Sequence, residues 1–386
     1  MKKVLLVGLG KSNLAVKDFL LKKGYEVYTY DDKLQADYNY RLLKKELPLF
    51  DLALVSPGIK FTSKTLDLIR LLAINIVNDL SLALYFLKRR FKLIVVTGSN
   101  GKTTVVTMLE GLLKDLGYKA LALGNNGRPI FSYLNAIEDL DYLILEVSSY
   151  QAMLFYDLID VLVLTSLSYN HLDSYDNFKE YVAAKKRLVR LSEKVVASKE
   201  LARKLKIEVN YNEYIDVKDV KSFDYNLVLN VLKCLGLETD KIDFDFNKIN
   251  IECRNELFLF DGDISFIDNS KSTSFEATTC ALNERNKKII LILGGHLKSK
   301  TRIKIRADYI LIYGDEGKLF KKYIDDRSKV YYFCSLKEAT SFAIELAKKI
   351  KVCDVLLSPS GSSTEYKNYL ERGRAFKEMV KKAYEL

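Results

Sequence analysis

The chain contains few residues of the kinds that form disulfide bonds and metal clusters. Its five cysteines are scattered, with no C-x-x-C pair among them, so we expect neither disulfides nor a structural zinc site. Histidine is rarer still, since only 2 are present among 386 residues. This cysteine usage is typical of a reducing cytosol, which is the location that we predict.

Long apolar segments are also missing. No apolar run approaches the length of a membrane-spanning helix. Lys2 and Lys3 precede only a short apolar stretch at 4–7, which does not resemble a signal peptide. We therefore expect a cytoplasmic protein with no membrane partner.

The net charge of +11 is distributed along the chain. A nucleic-acid binder would cluster its Lys and Arg and, for single strands, interleave aromatic residues. The basic clusters at 87–90 and 298–306 are short, and many lysines fall on the polar faces of predicted amphipathic helices. We expect no nucleic-acid partner, although the charge favours anionic substrates.

The most informative segment is V-V-T-G-S-N-G-K-T-T at 95–104. An apolar run at 93–96 predicts a buried strand and a helical pattern begins at Val105, so the loop between them gathers backbone N–H groups and the positive end of a helix dipole. Such a loop binds phosphates, with Lys102 reaching the terminal phosphates and the Thr103 hydroxyl facing Mg²⁺. Val96 stands where the general pattern has glycine, so a glycine-rich turn with a chance Lys-Thr is the alternative. The predicted cofactor-binding residues of this loop are Gly98, Ser99, Asn100, Gly101, Lys102, Thr103 and Thr104.

The alternation of apolar runs and helical patterns predicts an α/β fold with three domains. We predict a Rossmann-like domain at 1–90, a central P-loop domain with a parallel sheet at 91–251, and a second Rossmann-like domain at 252–386. In the first, Gly8 and Gly10 begin a partial dinucleotide fingerprint, but Asn13 replaces its third glycine and NAD is not inferred. Strands are predicted at 4–7, 25–30, 52–55, 93–96, 142–145, 161–164, 264–267, 289–293, 309–312 and 354–357, and helices at 13–23 and 222–235.

Polar residues follow two strands of the central domain, at the edge where ligands gather in open parallel sheets. Glu146 follows the strand at 142–145 and is placed to hold a phosphate-bound Mg²⁺, the alternative being a surface carboxylate. His171 follows the strand at 161–164, between Asn170 and Asp173, and a structural histidine is the alternative. Lys185 lies in a predicted helix further on.

In their order, these motifs resemble those of the Mur ligases, ATP-dependent amino-acid ligases that build the peptidoglycan stem peptide. The resemblance rests on T-G-S-N-G-K-T at 97–103, G-N-N-G at 124–127, E-V-S-S at 146–149, H-L-D at 171–173 and Y-V-A-A-K at 181–185. It continues through C-R at 253–254, F-I-D-N-S-K-S-T at 266–273, L-G-G at 293–295 and L-S-P-S-G-S-S-T at 357–364. It implies an ADP-forming amide ligase that uses ATP, Mg²⁺ (two ions) and an acyl-phosphate intermediate.

Within the family, the compact first domain, S-P-G-I at 56–59 and the ending at 358–372 are most similar to the branch that adds D-glutamate to UDP-N-acetylmuramoyl-L-alanine. The D-N-P-R motif typical of the diaminopimelate-adding branch is absent. We also expect a monomer.

The resemblance implies a role for each matching residue. The implied catalytic residues are Lys102, Glu146, His171 and Lys185. The implied metal ligands are Thr103, Glu146, His171 and Lys185, with Lys185 carbamylated. Further nucleotide contacts are implied for Asn125, Arg254 and Asn269. The implied substrate residues are Lys11, Ser12, Asp31, Asp32 and Ser56 for the uridine-diphosphate pocket, and Lys298, Ser363, Thr364 and Tyr369 for the incoming amino acid.

Three features depart from the family pattern. Asp268 and Asn269 reverse the usual Asn-Asp order, which leaves the nucleotide contact of Asn269 open. Asn170 replaces an Asp before the histidine. The chain is also short between 190 and 250, where either Asn226 or Asn230 is the adenine contact.

Other functions are compatible with parts of the sequence. One is another ligase of the same fold, including a folylpolyglutamate-type enzyme, although the nucleotide-sugar domain argues against it. Another is a P-loop ATPase that acts on nucleic acid or a regulatory partner. A third is an inactive relative, given the exchange at 268 and 269.

Overall fold

The structure, a computed structural model, describes residues 2–57, 59, 63–87, 89–167, 178–209, 220–239, 252–283, 285–297 and 303–385. The chain divides into two compact units, Met1–Phe244 and Asp245–Leu386. The first unit contains two parallel sheets and the second contains one mixed sheet, which confirms the α/β fold class. The predicted domain boundaries at 90 and 251 stay a prediction. Among the described residues, no helix combines the length and apolarity needed to cross a membrane.

The first sheet has four parallel strands in the order β2-β1-β3-β4. The strands are β1 (Lys3–Val7), β2 (Glu26–Tyr30), β3 (Phe50–Val55) and β4 (Ala73–Val77). The helices are α1 (Lys11–Lys22), α2 (Tyr40–Glu46), α3 (Lys64–Leu72) and α4 (Asp79–Phe86). Side chains of β1 alternate between two cores, with Val4 and Leu6 on one face and Leu5 and Val7 on the other. Burial on both faces is why β1 is a continuous apolar run.

The second sheet has five parallel strands in the order β6-β7-β5-β8-β9. The strands are β5 (Lys92–Thr97), β6 (Ala120–Gly124), β7 (Tyr142–Glu146), β8 (Ile159–Leu164) and β9 (Ser192–Ala197). The helices are α5 (Lys102–Asp115), α6 (Leu134–Ile137), α7 (Ser149–Met153), α8 (Phe178–Arg190), α9 (Lys199–Leu205) and α10 (Val220–Cys234). The register pairs Val96 with Glu146 and Thr97 with Leu164, so β5, β7 and β8 end at the same edge.

The first two sheets share a hydrophobic core, which explains why they form one compact unit. That core includes Val4 and Leu6 of β1 together with Leu93 and Val95 of β5. Phe19 of α1 joins them, because its ring contacts those of Phe86 and Phe131 at centroid distances of 5.0 and 5.2 Å. Such edge-to-face ring pairs stabilise a core beyond the area they bury.

The sheet of the second unit has six strands in the order β10-β11-β15-β12-β13-β14, and only β10 is antiparallel to its neighbour. The strands are β10 (Glu256–Asp261), β11 (Ile264–Asp268), β12 (Lys288–Gly294), β13 (Tyr309–Tyr313), β14 (Lys329–Phe333) and β15 (Cys353–Ser360). The helices are α11 (Phe275–Asn283), α12 (Gly317–Phe320), α13 (Leu336–Ile350) and α14 (Tyr369–Ala383). Ser335 and Asn368 cap α13 and α14 through their side chains, accepting from the N–H groups of Glu338 and Glu371.

Candidate active site

The predicted phosphate loop connects β5 to α5, which begins at Lys102, three residues earlier than the sequence pattern indicates. Gly101 precedes the helix in the left-handed conformation (φ 83°) and supplies no side-chain cap. The first N–H groups of α5 therefore have no side chain of Gly101 competing with a ligand, and the helix dipole favours an anion there.

Two glycines let the loop approach its neighbours closely. A Cβ at Gly98 would overlap the Thr165 hydroxyl and lie 2.9 Å from the backbone nitrogen of Ser166. A Cβ at Gly101 would lie 2.8 Å from the Asp224 carboxylate of α10. Glycine is favoured at both positions, because a Cβ at Gly98 would force the backbone after β8 to shift, and Gly101 has a left-handed φ that other residues rarely adopt.

The segment after β8 holds the loop in shape, and sequence reasoning missed this contribution. Ser166 accepts the N–H of Ser99 on its carbonyl at 3.0 Å and the N–H of Asn100 on its hydroxyl at 2.8 Å. Thr165 donates its hydroxyl to the carbonyl of Asn100. The only signal in the sequence is that these polar residues follow a predicted strand, as ligand-edge residues do.

Lys102 lies against the loop that it is predicted to serve. Its Nζ donates to the carbonyl of Gly98 at 2.7 Å and to that of Ser99 at 3.1 Å. These bonds place the ammonium beside the backbone that would surround a phosphate, where a cation neutralises phosphate charge.

Glu146, at the end of β7, is hydrogen-bonded to two predicted ligand-binding residues. Its Oε2 accepts the hydroxyl of Thr103 at 2.7 Å, and its Oε1 accepts the side-chain amide of Asn125 at 3.0 Å. The side chain is 2% exposed. The structure thus brings Thr103, Asn125 and Glu146 together at the N-terminus of α5, and a carboxylate with a hydroxyl forms the oxygen-rich donor set that Mg²⁺ prefers.

Asn125 reaches Glu146 because the chain turns sharply after β6. Gly124 has φ 104°, and a Cβ there would lie 2.5 Å from the carbonyl oxygen of Glu146. That same carbonyl accepts the N–H of Asn125 at 2.9 Å. Glycine is therefore required for β6 to deliver the Asn125 amide to the carboxylate.

Lys185, on α8, is buried beside the phosphate loop, with an exposed fraction of 1%. Its Nζ donates to the hydroxyl of Thr97, the last residue of β5, at 3.4 Å. Burial, and then the nearby charge of Lys102, holds the pKa of the Lys185 amine well below its ordinary range. The position is not that of an exposed helix lysine.

Residues 8–10 connect β1 to α1, and we call this segment the glycine loop. Asp31 fixes its conformation through a hydrogen bond. Its carboxylate accepts the N–H of Leu9 at 2.9 Å and those of Lys33 and Leu34 at 2.9 and 3.1 Å. Burial acts to raise the pKa of Asp31, but these donors outweigh it and the net shift is downward. Asp31 therefore holds the loop as a carboxylate.

The other predicted uridine-diphosphate residues that the structure describes lie shortly after β2 and β3 and in the first turn of α1. Asp32 accepts from the hydroxyl of Tyr30 at 2.6 Å and from the N–H of Tyr40 at 2.9 Å. Ser12 is half-buried in the first turn of α1. Ser56 packs on the loop, since a Cβ at Gly8 would lie 3.1 Å from its own Cβ.

Asn13 shows why the partial fingerprint lacks its third glycine. Its fully buried side-chain amide donates to the carbonyls of Val7, Gly8 and Leu54 at 3.1, 2.8 and 3.3 Å. A side chain thus fixes the strand-to-loop geometry of the first sheet.

In the second unit, Asp268 and Asn269, which reverse the order usual in the family, lie in different environments. Asn269 donates its amide to the hydroxyl of Ser358 at 3.0 Å. Asp268 is fully buried and accepts the N–H and hydroxyl of Ser270 at 2.9 and 2.5 Å, and burial raises the pKa of its carboxyl against these donors. The Asp268 side chain is therefore an interior hydrogen-bond acceptor, whereas Asn269 lies beside the end of β15.

Three described residues of the second unit are predicted to bind the incoming amino acid, namely Ser363, Thr364 and Tyr369. They lie after β15 and at the start of α14. Ser363 donates its hydroxyl to the carbonyl of Tyr366 at 2.8 Å, and Thr364 is exposed. The Nζ of Lys271 lies 3.9 Å from the ring centroid of Tyr369, a cation–π contact. Arg254 is half-buried.

Sequence reasoning also missed Arg372, a fully buried cation in α14. Its guanidinium donates to the carbonyls of Gly361 and Ser270 at 3.1 and 2.8 Å. It therefore links the loop after β11 to the Ser-rich loop after β15. A single Arg in an amphipathic helix gives no sequence signal of such burial.

Several predicted residues cannot be placed. Asn170, His171, Asp173 and Lys298 lie outside the described residues, as does the side chain of Lys11. For the adenine contact, Asn230 is buried and Asn226 half-buried on α10, while Asp224 is the α10 residue that lies against Gly101.

Comparison with known proteins defines the class to which this fold and site belong. Residues 96–220 match the Mur ligase middle domain, a range that includes the phosphate loop, Glu146 and Lys185. The fold is similar to that of UDP-N-acetylmuramate-alanine ligase from Thermotoga maritima, with a TM-score of 0.59 and 18% identity over 99% of this chain and 100% of that chain. MurF ligase from the same organism, solved in complex with ADP, has a TM-score of 0.59 and 15% identity over 99% of this chain and 95% of that chain.

Higher sequence identity is found to full-length relatives. UDP-N-acetylmuramoylalanine–D-glutamate ligase of Francisella philomiragia is 31% identical over 413 residues, covering 98% of this chain and 96% of that protein. The same-named enzyme of Francisella tularensis subsp. novicida is 32% identical over 408 residues, covering 98% and 95%. The chain belongs to the Mur ligase family.

Proposed function

We propose that this protein is the ATP-dependent ligase that adds D-glutamate to UDP-N-acetylmuramoyl-L-alanine in peptidoglycan precursor synthesis. The observation that carries the proposal is near-full-length identity to two enzymes of that name, on a chain whose phosphate loop and Glu146 lie at one edge of a parallel sheet. An ATPase acting on nucleic acid is not favoured by these relatives.

The phosphate loop supplies the electrostatic part of the reaction. Its N–H groups, the N-terminus of α5 and Lys102 bind the ATP phosphates and stabilise the charge that develops as the γ-phosphoryl group is transferred to the substrate carboxylate. The acyl phosphate so formed is attacked by the amine of D-glutamate, which yields an amide and releases phosphate. Thr103 and Glu146 fit Mg²⁺, which when bound neutralises phosphate charge.

Lys185 supports a second, finer proposal, that its amine is carbamylated. Only a neutral amine attacks CO₂, giving the carbamate and releasing one proton, and a buried lysine with a lowered pKa is neutral far more often than an exposed one. The carbamate would place an anion where the buried amine lies, at the end of β5, and its oxygen ligands would hold a second Mg²⁺ with His171.

The substrates are assigned to the two units by residue class. In the first unit, the residues proposed to hold the uridine diphosphate are Lys11, Ser12, Asp31, Asp32 and Ser56, together with the loop of Gly8. In the second unit, Lys298, Ser363, Thr364 and Tyr369 are proposed to bind D-glutamate, whose two carboxylates need cationic and hydroxyl donors. Nucleotide contacts of Asn125, Arg254 and Asn269, the monomeric state, the lack of a nucleic-acid partner and the cytosolic location stay predictions.

Product analysis tests the proposal. Purified protein with ATP, Mg²⁺, UDP-N-acetylmuramoyl-L-alanine and D-glutamate should yield the amide, ADP and phosphate in equal amounts, measured by mass spectrometry and phosphate release. Omitting either acceptor or amino acid should abolish amide formation. Phosphate release stimulated by nucleic acid, without amide product, would contradict the proposal.

A further inference from the structure

A buried cation contacts two loops of the second unit. Arg372, in the first turn of α14, has an exposed fraction of 0%. Both of its terminal nitrogens donate to the carbonyl of Gly361 at 3.1 Å, and one of them also donates to the carbonyl of Ser270 at 2.8 Å. The other lies 3.5 Å from the hydroxyl of Tyr313. Because arginine is not deprotonated in proteins, the guanidinium is a permanent positive charge inside this unit.

The guanidinium has no counter-ion in contact with it. Its partners are uncharged carbonyl and hydroxyl oxygens, and its buried Nε has no hydrogen-bond partner among the described residues. Within the described part of the chain, no carboxylate oxygen lies within 4.0 Å of its nitrogens, and the charge of Glu365 acts on it from a greater distance. A buried ion without a partner is costly, so an anion bound nearby would offset part of that cost.

The loops after β12 and β15 pack closely against each other and against this charge. His296, after β12, and Ser362, after β15, exchange both of their backbone hydrogen bonds at 2.9 Å. A Cβ at Gly295 would lie 2.2 Å from the carbonyl oxygen of Ser362 and 3.3 Å from a guanidinium nitrogen of Arg372. The charge therefore lies against the backbone that leads, in both loops, to the predicted amino-acid-binding residues.

We propose that Arg372 is a specificity-determining residue that favours an acidic amino acid in the second unit. The inference rests on the proposed function, because it requires D-glutamate to bind at these two loops. The guanidinium is enclosed by the loops, so it acts on the ligand through its electric field and by holding the loop backbone, not by contact. Such a field is stronger in a low-dielectric interior than in water, and salt screens it less. D-Glutamine, which has a similar size but one carboxylate fewer, gains less from it.

Competition between these two amino acids tests the inference. The full-length protein receives ATP, Mg²⁺ and UDP-N-acetylmuramoyl-L-alanine with D-glutamate and excess D-glutamine, and mass spectrometry resolves the two amides. Arg372→Gln removes the charge but keeps an amide donor for the Gly361 carbonyl. Its ratio of D-glutamate to D-glutamine product should fall at least about tenfold. A product ratio does not depend on the fraction of protein that is folded, so partial unfolding cannot imitate this result.

The Michaelis constants give a second readout that a purely structural role would not change. In Arg372→Gln, the KM for D-glutamate should rise at least about tenfold, while those for ATP and the UDP-linked substrate stay within about twofold. Arg372→Met is a second neutral variant with the same expected outcome. Arg372→Lys keeps the charge but loses the forked contact, so it should lower the unfolding temperature and keep a product ratio near that of the wild type.

Arg374→Gln is the matched control, because it removes one positive charge from an exposed position of the same helix. Arg374 pairs with Glu252 at 3.1 Å, and its loss should leave the product ratio unchanged. A wild-type ratio in the neutral variants, or a ratio in Arg372→Lys as low as theirs, would overturn the inference. Failure of both neutral variants to fold would assign Arg372 to the fold alone and would also overturn it. Absence of the D-glutamate amide with the wild type would instead contradict the proposed function.

Discussion

Lys185 shows how burial changes the chemistry of a single residue. Its sequence context, a lysine beside Lys186 in an amphipathic helix, also fits an exposed ammonium, and only the fold reveals the buried amine next to Thr97. A buried lysine is a poor permanent cation, because burial penalises the charged form. A carbamate on Lys185 is compatible with this burial if bound metal ions neutralise its negative charge.

Lys185→Gln should therefore lower turnover on the order of 100-fold or more, as the loss of an electrostatic stabiliser does. Nuclear magnetic resonance with ¹³C-bicarbonate should show a carbamate signal in the wild type and in the control Lys186→Gln, but not in Lys185→Gln. Carbon dioxide removal should lower wild-type activity reversibly. An active wild type without a carbamate signal would refute the modification.

Glu146→Gln should raise the Mg²⁺ concentration needed for half-maximal phosphate release by at least about tenfold. The amide can still accept from Thr103, so the fold should persist while the anionic ligand is lost. Glu110→Gln is the control, because Glu110 lies on α5 and pairs with Lys114 and Arg128 at 2.7 and 2.9 Å. An unchanged Mg²⁺ midpoint in Glu146→Gln would exclude it as a metal ligand.

Residue types at the site were predictable where a local pattern specifies them. The strand-loop-helix order predicted the positions of Lys102 and Thr103 at the phosphate loop, and a strand end predicted that of Glu146, while the roles of all three stay predictions. Thr165 and Arg372 were not predictable, since their importance comes from contacts with residues far away in sequence. A local pattern contains no information on such contacts.

At the scale of elements, the phosphate loop depends on close packing between β5 and β8. Gly98→Ala should weaken ATP binding and lower the unfolding temperature, because its Cβ would overlap Thr165. Gly111→Ala is the matched control within α5, where a Cβ meets nothing within 4 Å. It should stabilise the protein by about 0.5–1 kcal/mol, since alanine favours a helix interior. Calorimetry and thermal unfolding measure both effects, and equal ATP affinity in the two variants would contradict the packing argument.

Strands that lie inside the sheets were predicted, and those not predicted are all edge strands. The interior strands β1, β3, β5, β7, β8, β11, β12, β13 and β15 correspond to predicted apolar runs. The five strands without a prediction are β4, β6, β9, β10 and β14, each at the edge of its sheet. An edge strand is less buried, as Tyr331 and Tyr332 of β14 show by their exposure, so its sequence lacks a continuous apolar run.

At the scale of the whole molecule, the α/β class followed from alternating patterns, and the described residues form three sheets. The sequence did not reveal that the first two sheets share one core, because Phe19, Phe86 and Phe131 meet only in the folded chain. In each unit a predicted substrate residue nevertheless follows a strand end, Ser56 after β3 and Ser363 after β15, as is typical of parallel sheets.

The central claim is that this Mur ligase uses D-glutamate, and amino-acid competition tests it most directly. With ATP and UDP-N-acetylmuramoyl-L-alanine present, D-glutamate, L-alanine, L-lysine and meso-diaminopimelate are offered together and the products are resolved by mass spectrometry. We expect the D-glutamate amide to predominate, because the relatives that match this chain over almost its full length are D-glutamate ligases. Predominant incorporation of any of the other three amino acids would contradict the assignment.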